Sequence, residues 1–151
     1  MYKRQITYSL SGTDASSMSI NSSNGIMAFN SAPDYETKTS YSATVTASDG
    51  TNSTSQNITI TIANVNDNTP SITSGATFSA AENQTAIGMV TATDADGDTI
   101  SYSLSGTDAS SMSINSSSGV LTFNSAPDYE TKSSYSATVT ANDGTLSLIH
   151  I

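Results

Sequence analysis

One stretch of 45 residues occurs twice in this chain. Residues 6–50 and 100–144 lie 94 positions apart and differ at only seven of these 45 positions. An internal repeat is interpreted before any local pattern, because both copies are expected to fold in the same way. A period of this length is too long for a solenoid unit and suits one whole β-sandwich domain of about 100 residues. The sequence therefore predicts tandem copies of a single domain.

Apolar and polar residues alternate with a period of two through much of the chain. Ile58 and Ile60 flank Thr59, and the same alternation recurs at 41–47 and at 135–141. This period is typical of a β-strand that buries one face. Apolar residues do not follow helical spacing for three turns anywhere in the sequence. The prediction is an all-β fold of antiparallel sandwiches.

The phase of the repeat predicts two domains that are both incomplete. The first domain, 1–68, lacks the two opening strands that the second is expected to form at Ala76–Ser79 and Gly88–Ala92. The second domain, 69–151, lacks the last strand that Ser55–Ala63 is expected to form in the first. A sandwich without an edge strand exposes unpaired backbone groups.

Both ends of the chain are predicted to be adapter-derived. Tyr2–Gln5 can be encoded as TAT-AAG-AGA-CAG, and Leu146–Ile151 as CTG-TCT-CTT-ATA-CAC-ATC. These strings match the two strands of one transposase adapter used to fragment DNA. Residues 1–5 and 146–151 are therefore excluded from fold reasoning. A genuine short terminus at each end is the alternative.

Composition narrows the classes of function. The net charge is −9, which argues against binding to nucleic acid or to an anionic membrane surface. No apolar run is long enough to span a bilayer. The chain has no cysteine, which excludes a disulfide framework but not an extracellular location, since a bound metal can stabilise a thin domain instead. With one histidine, His150, and no Gly-rich phosphate loop, the sequence does not predict an enzyme.

Acidic and amide side chains collect in short segments. The linker (Asn64–Pro70) carries four such side chains within five residues, and the acidic turn (Asp94–Asp98) carries three carboxylates. Each pair of like charges a few ångströms apart costs on the order of 1–4 kcal/mol without a cation. Calcium accepts six to eight oxygen ligands in irregular geometry, whereas zinc and copper prefer Cys and His. These segments predict calcium sites.

Five motifs in phase resemble those of a cadherin repeat. They are the linker NVNDNTP, the DAD at 94–96, the DYE at 34–36 and 128–130, Ala81-Glu82-Asn83 and Ala141-Asn142-Asp143. The composition resembles that of a bacterial or archaeal cadherin-like array. Two departures from the family pattern are Asn64, where an acid is usual, and Tyr35 and Tyr129, where a basic residue is usual.

The resemblance implies Greek-key, immunoglobulin-like sandwiches with calcium bound between successive repeats. It implies that Glu82, Asp128 and Glu130 would serve a following junction and Asp49 a preceding one. The ligands implied for the junction within this chain are Asp34, Glu36, Asn66, Asp67, Asn68, Asp94, Asp96 and Asp143.

Two functions remain open at this stage. The first is a calcium-rigidified structural or adhesive segment of a large, repetitive cell-surface or secreted protein. Its partners would be neighbouring repeats and, through homophilic or heterophilic contact, a surface protein or glycan. The second is a carbohydrate-binding accessory module of a secreted polysaccharide-active enzyme. Such a module usually presents exposed aromatic rings, and only Tyr35 and Tyr129 are expected to do so here.

Overall fold

The computed structural model describes residues 5–145 and 147–150, with the backbone alone at 147–150. The chain divides into two compact units, Met1–Val65 and Asn66–Ile151. The division falls three residues before the predicted boundary, because the amide groups of Asp67 and Asn68 hydrogen-bond to Asp96 of the second unit. The predicted adapter residues Met1–Arg4, Leu146 and Ile151 lie outside the described residues, and the origin of both ends stays a prediction.

The first unit contains one three-stranded and one two-stranded antiparallel sheet. The larger sheet has the order β1-β4-β5, and the smaller sheet is the hairpin β2-β3. A single three-residue 3-10 turn, Ala15–Ser17, precedes β2. The strands are β1 (Thr7–Ser11), β2 (Met18–Ile20), β3 (Met27–Phe29), β4 (Ser40–Ser48) and β5 (Ser53–Thr61).

The second unit repeats this arrangement and adds strands before it. Its sheets have the orders β10-β11-β7, β13-β12-β9 and β6-β8. A 3-10 turn, Ala109–Ser111, again precedes the first hairpin strand. The strands are β6 (Ser71–Ile72), β7 (Ala86–Met89), β8 (Ala92–Thr93), β9 (Ser101–Ser105), β10 (Met112–Ile114), β11 (Val120–Phe123), β12 (Thr138–Asn142) and β13 (Ser147–His150).

The core of the second unit lies between its sheets. Val90, Tyr102, Val139 and Ala141 form a buried cluster, with Leu104 among the half-buried residues packed against it. The inward side chains come from alternate strand positions, as the period of two predicts. The all-β prediction is thereby confirmed. Among the described residues, no helix has the length and apolarity that crossing a bilayer requires.

Aromatic packing is copied between the units. Phe29 meets the edge of Tyr41 with ring centroids 4.9 Å apart, and Phe123 meets Tyr135 at 4.8 Å. Edge-to-face pairs at this separation are favourable beyond the apolar area that they bury. The two copies of the repeat therefore form the same local packing.

Two strand predictions differ from the structure. Ala76–Ser79 is not a strand, because its single large apolar residue, Phe78, stays 39% exposed and anchors no pairing. Ser147–His150, which the sequence analysis set aside as adapter-derived, pairs with β12, and the expectation that the second unit lacks the counterpart of Ser55–Ala63 stays a prediction. The turn at Asn142–Gly144 returns the backbone to the open edge of β12, where an extended chain can pair. The predicted strand Gly88–Ala92 is divided in the structure: Gly88 and Met89 lie in β7, and Ala92 lies in β8.

The described part of the last strand pair covers more of the penultimate strand in the first unit than in the second. β4 pairs with β5 over nine residues, from Ser40↔Thr61 to Ser48↔Ser53. The described part of β13 ends opposite Val139, the counterpart of Val45. Residues 134–137, whose counterparts open β4, consequently have no strand assignment.

Candidate metal-binding site

Three segments of the second unit converge at one of its ends. Ser71 pairs with Thr93, so the linker, which enters β6, lies beside the acidic turn, which follows β8. Ser101 pairs with Asn142, so Asp143 lies where the acidic turn enters β9. Antiparallel pairing thus brings together the predicted ligands of the linker, the acidic turn and Asp143.

Asp94 organises the acidic turn with one oxygen and leaves the other without a protein partner. Its Oδ1 accepts the backbone N–H groups of Asp96 at 2.9 Å and Asp98 at 3.3 Å. Its Oδ2 is buried and has no hydrogen-bond partner among the described residues. A buried carboxylate oxygen without a partner is costly, so this atom is a candidate ligand for a cation.

Asp96 holds the linker against the second unit. Its Oδ2 accepts the backbone N–H groups of Asp67 at 3.2 Å and Asn68 at 2.9 Å. The Asn68 side-chain amide donates to Asp96 Oδ1 at 3.1 Å and to Asp67 Oδ1 at 3.0 Å. The linker backbone is therefore fixed before any metal is considered.

Asn66 and Asp143 contribute further buried side-chain oxygens at this end of the second unit. Asn66 Oδ1 is buried and has no hydrogen-bond partner among the described residues. Asp143 Oδ2 is buried too, while its Oδ1 accepts the N–H group of Thr145 at 2.8 Å. One carboxylate oxygen each from Asp94, Asp96 and Asp98 lies within 4.8 Å of the others. The set consists of hard oxygen donors, the kind that calcium accepts.

A second acidic cluster (Glu82, Asp128 and Glu130) lies elsewhere in the same unit. One carboxylate oxygen from each of its residues lies within 4.8 Å of the others, and all three residues are exposed. Glu82 Oε2 accepts the N–H group of Tyr129 at 3.4 Å, and the Asn83 N–H group donates to the Pro127 carbonyl at 2.9 Å. These bonds join two segments that are 47 residues apart.

The first unit contains at Asp34 a copy of the turn at Asp128. Asp34 Oδ1 accepts the N–H group of Glu36 at 3.0 Å, and its Oδ2 accepts the Thr37 hydroxyl at 2.8 Å. The copy at Asp128 makes the matching bonds to Glu130, at 3.1 Å, and to the Thr131 hydroxyl, at 2.8 Å.

Hydrogen bonds hold several of these carboxyls in the ionised form. The Thr37 hydroxyl, above all, lowers the pKa of Asp34, and the Thr131 hydroxyl does the same for Asp128. The pKa of Asp49 is lowered chiefly by the backbone N–H group of Asn52, which donates to Asp49 Oδ1 at 2.7 Å. These donors favour the charged form that a metal ligand requires.

The structure marks out two carboxylates beyond the ligand set that the resemblance implied. Asp98 belongs to the acidic turn, and one of its carboxylate oxygens lies within 4.8 Å of those of Asp94 and Asp96. Asp14 is the second: its Oδ2 accepts the N–H group of Ser42, 28 positions away, and its Oδ1 binds Lys38. A 24-residue spacing between single charges gives no periodic signal, so this ion pair could not be found from the sequence.

Comparison with known proteins identifies the family. Residues 76–148 match the cadherin domain model. Over 147 residues the chain is 35% identical to human protocadherin Fat 4 and 32% identical to the mouse protein. Each alignment covers 90% of this chain and 3% of the relative, so the chain spans a small part of these proteins.

Solved structures share the architecture. Protocadherin gammaB7 EC3-6, a cis-dimer structure, matches with a TM-score of 0.82 and 33% identity, covering 96% of this chain and 39% of that one. Mouse cadherin-23 EC22-24 matches with a TM-score of 0.80 and 26% identity, covering 95% of this chain and 49% of that one. The family model, the relatives and these structures together identify the chain as cadherin-like.

Proposed function

We propose that this chain is a calcium-binding, calcium-rigidified segment of a large extracellular protein. The observation that carries the proposal is the pair of buried oxygens at one end of the second unit, Asp94 Oδ2 and Asn66 Oδ1, which have no hydrogen-bond partner among the described residues. A bound cation would supply the missing interaction for both atoms.

The donor set fits calcium better than other common metals. Carboxylate and amide oxygens surround this end, and the described residues contribute no Cys or His side chain to it. Calcium tolerates an irregular set of six to eight oxygens, whereas magnesium demands near-octahedral geometry and keeps several waters. Asn66, Asp67, Asp94, Asp96 and Asp143 would hold the ion.

Electrostatics makes the metal a stabilising element. The sequence contains thirteen Asp and Glu residues and only four Lys and Arg residues. Three of the acidic residues lie within the five positions of the acidic turn. Neutralising that turn relieves repulsion between carboxylates held within 4.8 Å of one another. The second acidic cluster also holds carboxylate oxygens within 4.8 Å of one another, and a cation would relieve the repulsion between them. We propose it as a second calcium site that would serve a following repeat.

The finer assignments of the junction are also part of the proposal. Asp34 and Glu36 would add ligands from the first unit, Asn68 would support the linker, and Asp49 would serve a preceding repeat. The turns at Asp34 and Asp49 show each carboxylate fixed by backbone donors, which supports preorganised ligands.

A cadherin-like chain is not an enzyme, as the sequence predicted. Family membership supports a structural or adhesive role at the cell surface, with neighbouring repeats and surface proteins as partners. The alternative, a carbohydrate-binding module, gains no support from the family model or the relatives described above. That the parent protein is a cell-surface or secreted protein stays a prediction. Its bacterial or archaeal type also stays a prediction.

Isothermal titration of the metal-free chain with calcium tests the proposal. We expect saturable binding with dissociation constants on the order of 0.1–1 mM, the range of extracellular calcium modules. Magnesium at the same concentration should bind more weakly. Absence of calcium heat at several millimolar, or equal binding of the two metals, would contradict the proposal.

A further inference from the structure

The acidic turn contains a carboxylate that the cadherin motifs do not include. Asp98 follows the DAD motif by two positions, and its side chain is exposed. One of its carboxylate oxygens nevertheless lies within 4.8 Å of one from Asp94 and one from Asp96. We propose that Asp98 is a further calcium ligand, so that one loop binds the ion through three carboxylates. This inference rests on the proposed function and adds a residue to its site.

The backbone of the turn brings Asp98 back toward Asp94. Residues four positions apart in an extended chain are separated by about 13 Å, which is too far for both to bind one ion. Gly97 has a φ of +82°, a left-handed conformation that glycine adopts without steric cost. The chain bends there, and the Asp98 N–H group donates to Asp94 Oδ1 at 3.3 Å. The turn thus brings the two carboxylates close together without a metal.

The separation of the carboxylates fits a shared ion. Calcium binds oxygen at about 2.3–2.6 Å, so two oxygens on one ion lie at most about 5 Å apart. The 4.8 Å that contains one oxygen each from Asp94, Asp96 and Asp98 meets this limit. EF-hand loops take their first ligands from positions 1, 3 and 5, and the three aspartates have the same spacing.

The other two carboxylates of the turn are partly occupied by protein donors. Asp94 Oδ1 accepts N–H groups of the turn itself. Both oxygens of Asp96 accept hydrogen bonds from the linker, Oδ2 from the backbone of Asp67 and Asn68 and Oδ1 from the Asn68 side chain. Among the described residues, none donates a hydrogen bond to the Asp98 carboxylate. Both Asp98 oxygens are therefore available to a cation.

Two buried oxygens point independently to a cation beside this turn. Asp94 Oδ2 and Asn66 Oδ1 are both shielded from water, and neither has a hydrogen-bond partner among the described residues. Neither oxygen can donate a hydrogen bond to the other, so a cation is the partner that would satisfy both. The number of charged ligands tunes calcium affinity. A third carboxylate, from Asp98, is therefore expected to strengthen binding.

Calcium titration of the full, metal-free chain followed by NMR tests the inference. The amides of 94–98 report the acidic turn, and those of Tyr129 and Glu130 report the second acidic cluster separately. Asp98→Asn keeps the size of the side chain and removes its charge, so the dissociation constant at the turn should rise at least about tenfold. Asp108→Asn removes the same charge elsewhere in the unit and is the matched control. It should leave that constant unchanged.

Melting temperatures separate a ligand from a residue that only supports the fold. In chelator, Asp98→Asn removes one of three carboxylates that repel one another and should raise the melting temperature slightly. The gain from millimolar calcium should be smaller in this variant than in the parent chain, because the ion is bound more weakly. A residue that only supports the turn would lower the melting temperature equally in both conditions.

The outcomes separate this inference from the proposed function. If calcium shifts no amide of 94–98 in the parent chain, both are overturned. If the parent chain binds calcium at the turn and Asp98→Asn binds it equally tightly, only the role of Asp98 is overturned. An equal loss of melting temperature with calcium and with chelator would likewise overturn that role alone.

Discussion

Asp96 Oδ2 accepts the backbone N–H group of Asn68 at 2.9 Å and that of Asp67 at 3.2 Å. A single carboxylate thus fixes the backbone that leads into the second unit. The same carboxylate belongs to the acidic turn that we propose to bind calcium. Linker order and metal binding are therefore expected to be coupled through this residue.

Asp96→Ala should release the linker even without calcium. Hydrogen bonds to an ionised acceptor are among the stronger ones, so the amides of Asp67 and Asn68 should exchange about tenfold faster in the variant. Amide exchange followed by NMR in chelator measures this. Asp98→Ala is the matched control, because the backbone N–H groups of Asp67 and Asn68 donate to Asp96, and it should leave both amides unchanged. Equal exchange rates in Asp96→Ala and the parent chain would refute the coupling.

The sequence predicted β4 and β5, which pair with each other. Ser40–Ser48 forms one continuous strand, as its alternation indicated. The same residue types at 134–137 do not, because the described part of β13 ends opposite Val139. Alternation reports which face can be buried, but strand formation also needs a hydrogen-bonded neighbour, and local sequence does not supply it.

The candidate site was predictable to a similar extent. The acidic turn was expected from residue spacing and the second acidic cluster from the family resemblance, and in each the carboxylates lie close together. The long-range ion pair at Asp14 was not, because its partners Lys38 and Ser42 are brought to it by tertiary structure.

That ion pair should make the first unit sensitive to acid. A hydrogen bond from Lys38, followed by one from the backbone of Ser42, lowers the pKa of Asp14 below its ordinary value of 3.8. Because the folded pKa is depressed, the stabilisation is complete above pH 3.8 and is lost as the pH falls through the lower folded value. Asp14→Asn should therefore lower the melting temperature at pH 6, and the difference from the parent chain should shrink below pH 3.8. Thermal melts from pH 3 to 6 measure it; a difference that is constant with pH would count against this account.

Two adjacent residues of β11 should respond very differently to truncation. Leu121 is 6% exposed and Val120 is 42% exposed. Leu121→Ala should lower the free energy of unfolding by about 2–4 kcal/mol through lost burial and a residual cavity. Val120→Ala, the control, should change it by less than about 1 kcal/mol. Urea denaturation of the second unit measures both; similar losses for the two variants would show that the core is wrongly placed.

The turn glycines of the two repeats should differ in their tolerance of a side chain although they occupy equivalent positions. Gly119 and Gly25 both have positive φ, +72° and +74°. A Cβ on Gly119 would meet the Val90 carbonyl oxygen at 2.1 Å, whereas one on Gly25 would contact the Tyr8 ring at 3.4 Å. Gly25→Ala should cost about 1–2 kcal/mol for the left-handed backbone, and Gly119→Ala should cost more, since it also displaces the backbone at Val90, which follows β7. Equal melting shifts for the two variants would contradict this packing.

Calcium binding by the second unit is the central claim, and thermal melting with and without calcium tests it most directly. Binding to the folded state alone stabilises it by mass action, so millimolar calcium should raise the melting temperature of the second unit, and chelator should reverse the gain. Asp94→Asn replaces a carboxylate whose Oδ2 is buried without a hydrogen-bond partner among the described residues, and it should remove most of the calcium-dependent gain. Asp108→Asn, which disturbs the ion pair with Lys132 instead, should lower the melting temperature and leave the gain intact. A melting temperature that calcium does not change, or a gain that Asp94→Asn retains in full, would contradict the account.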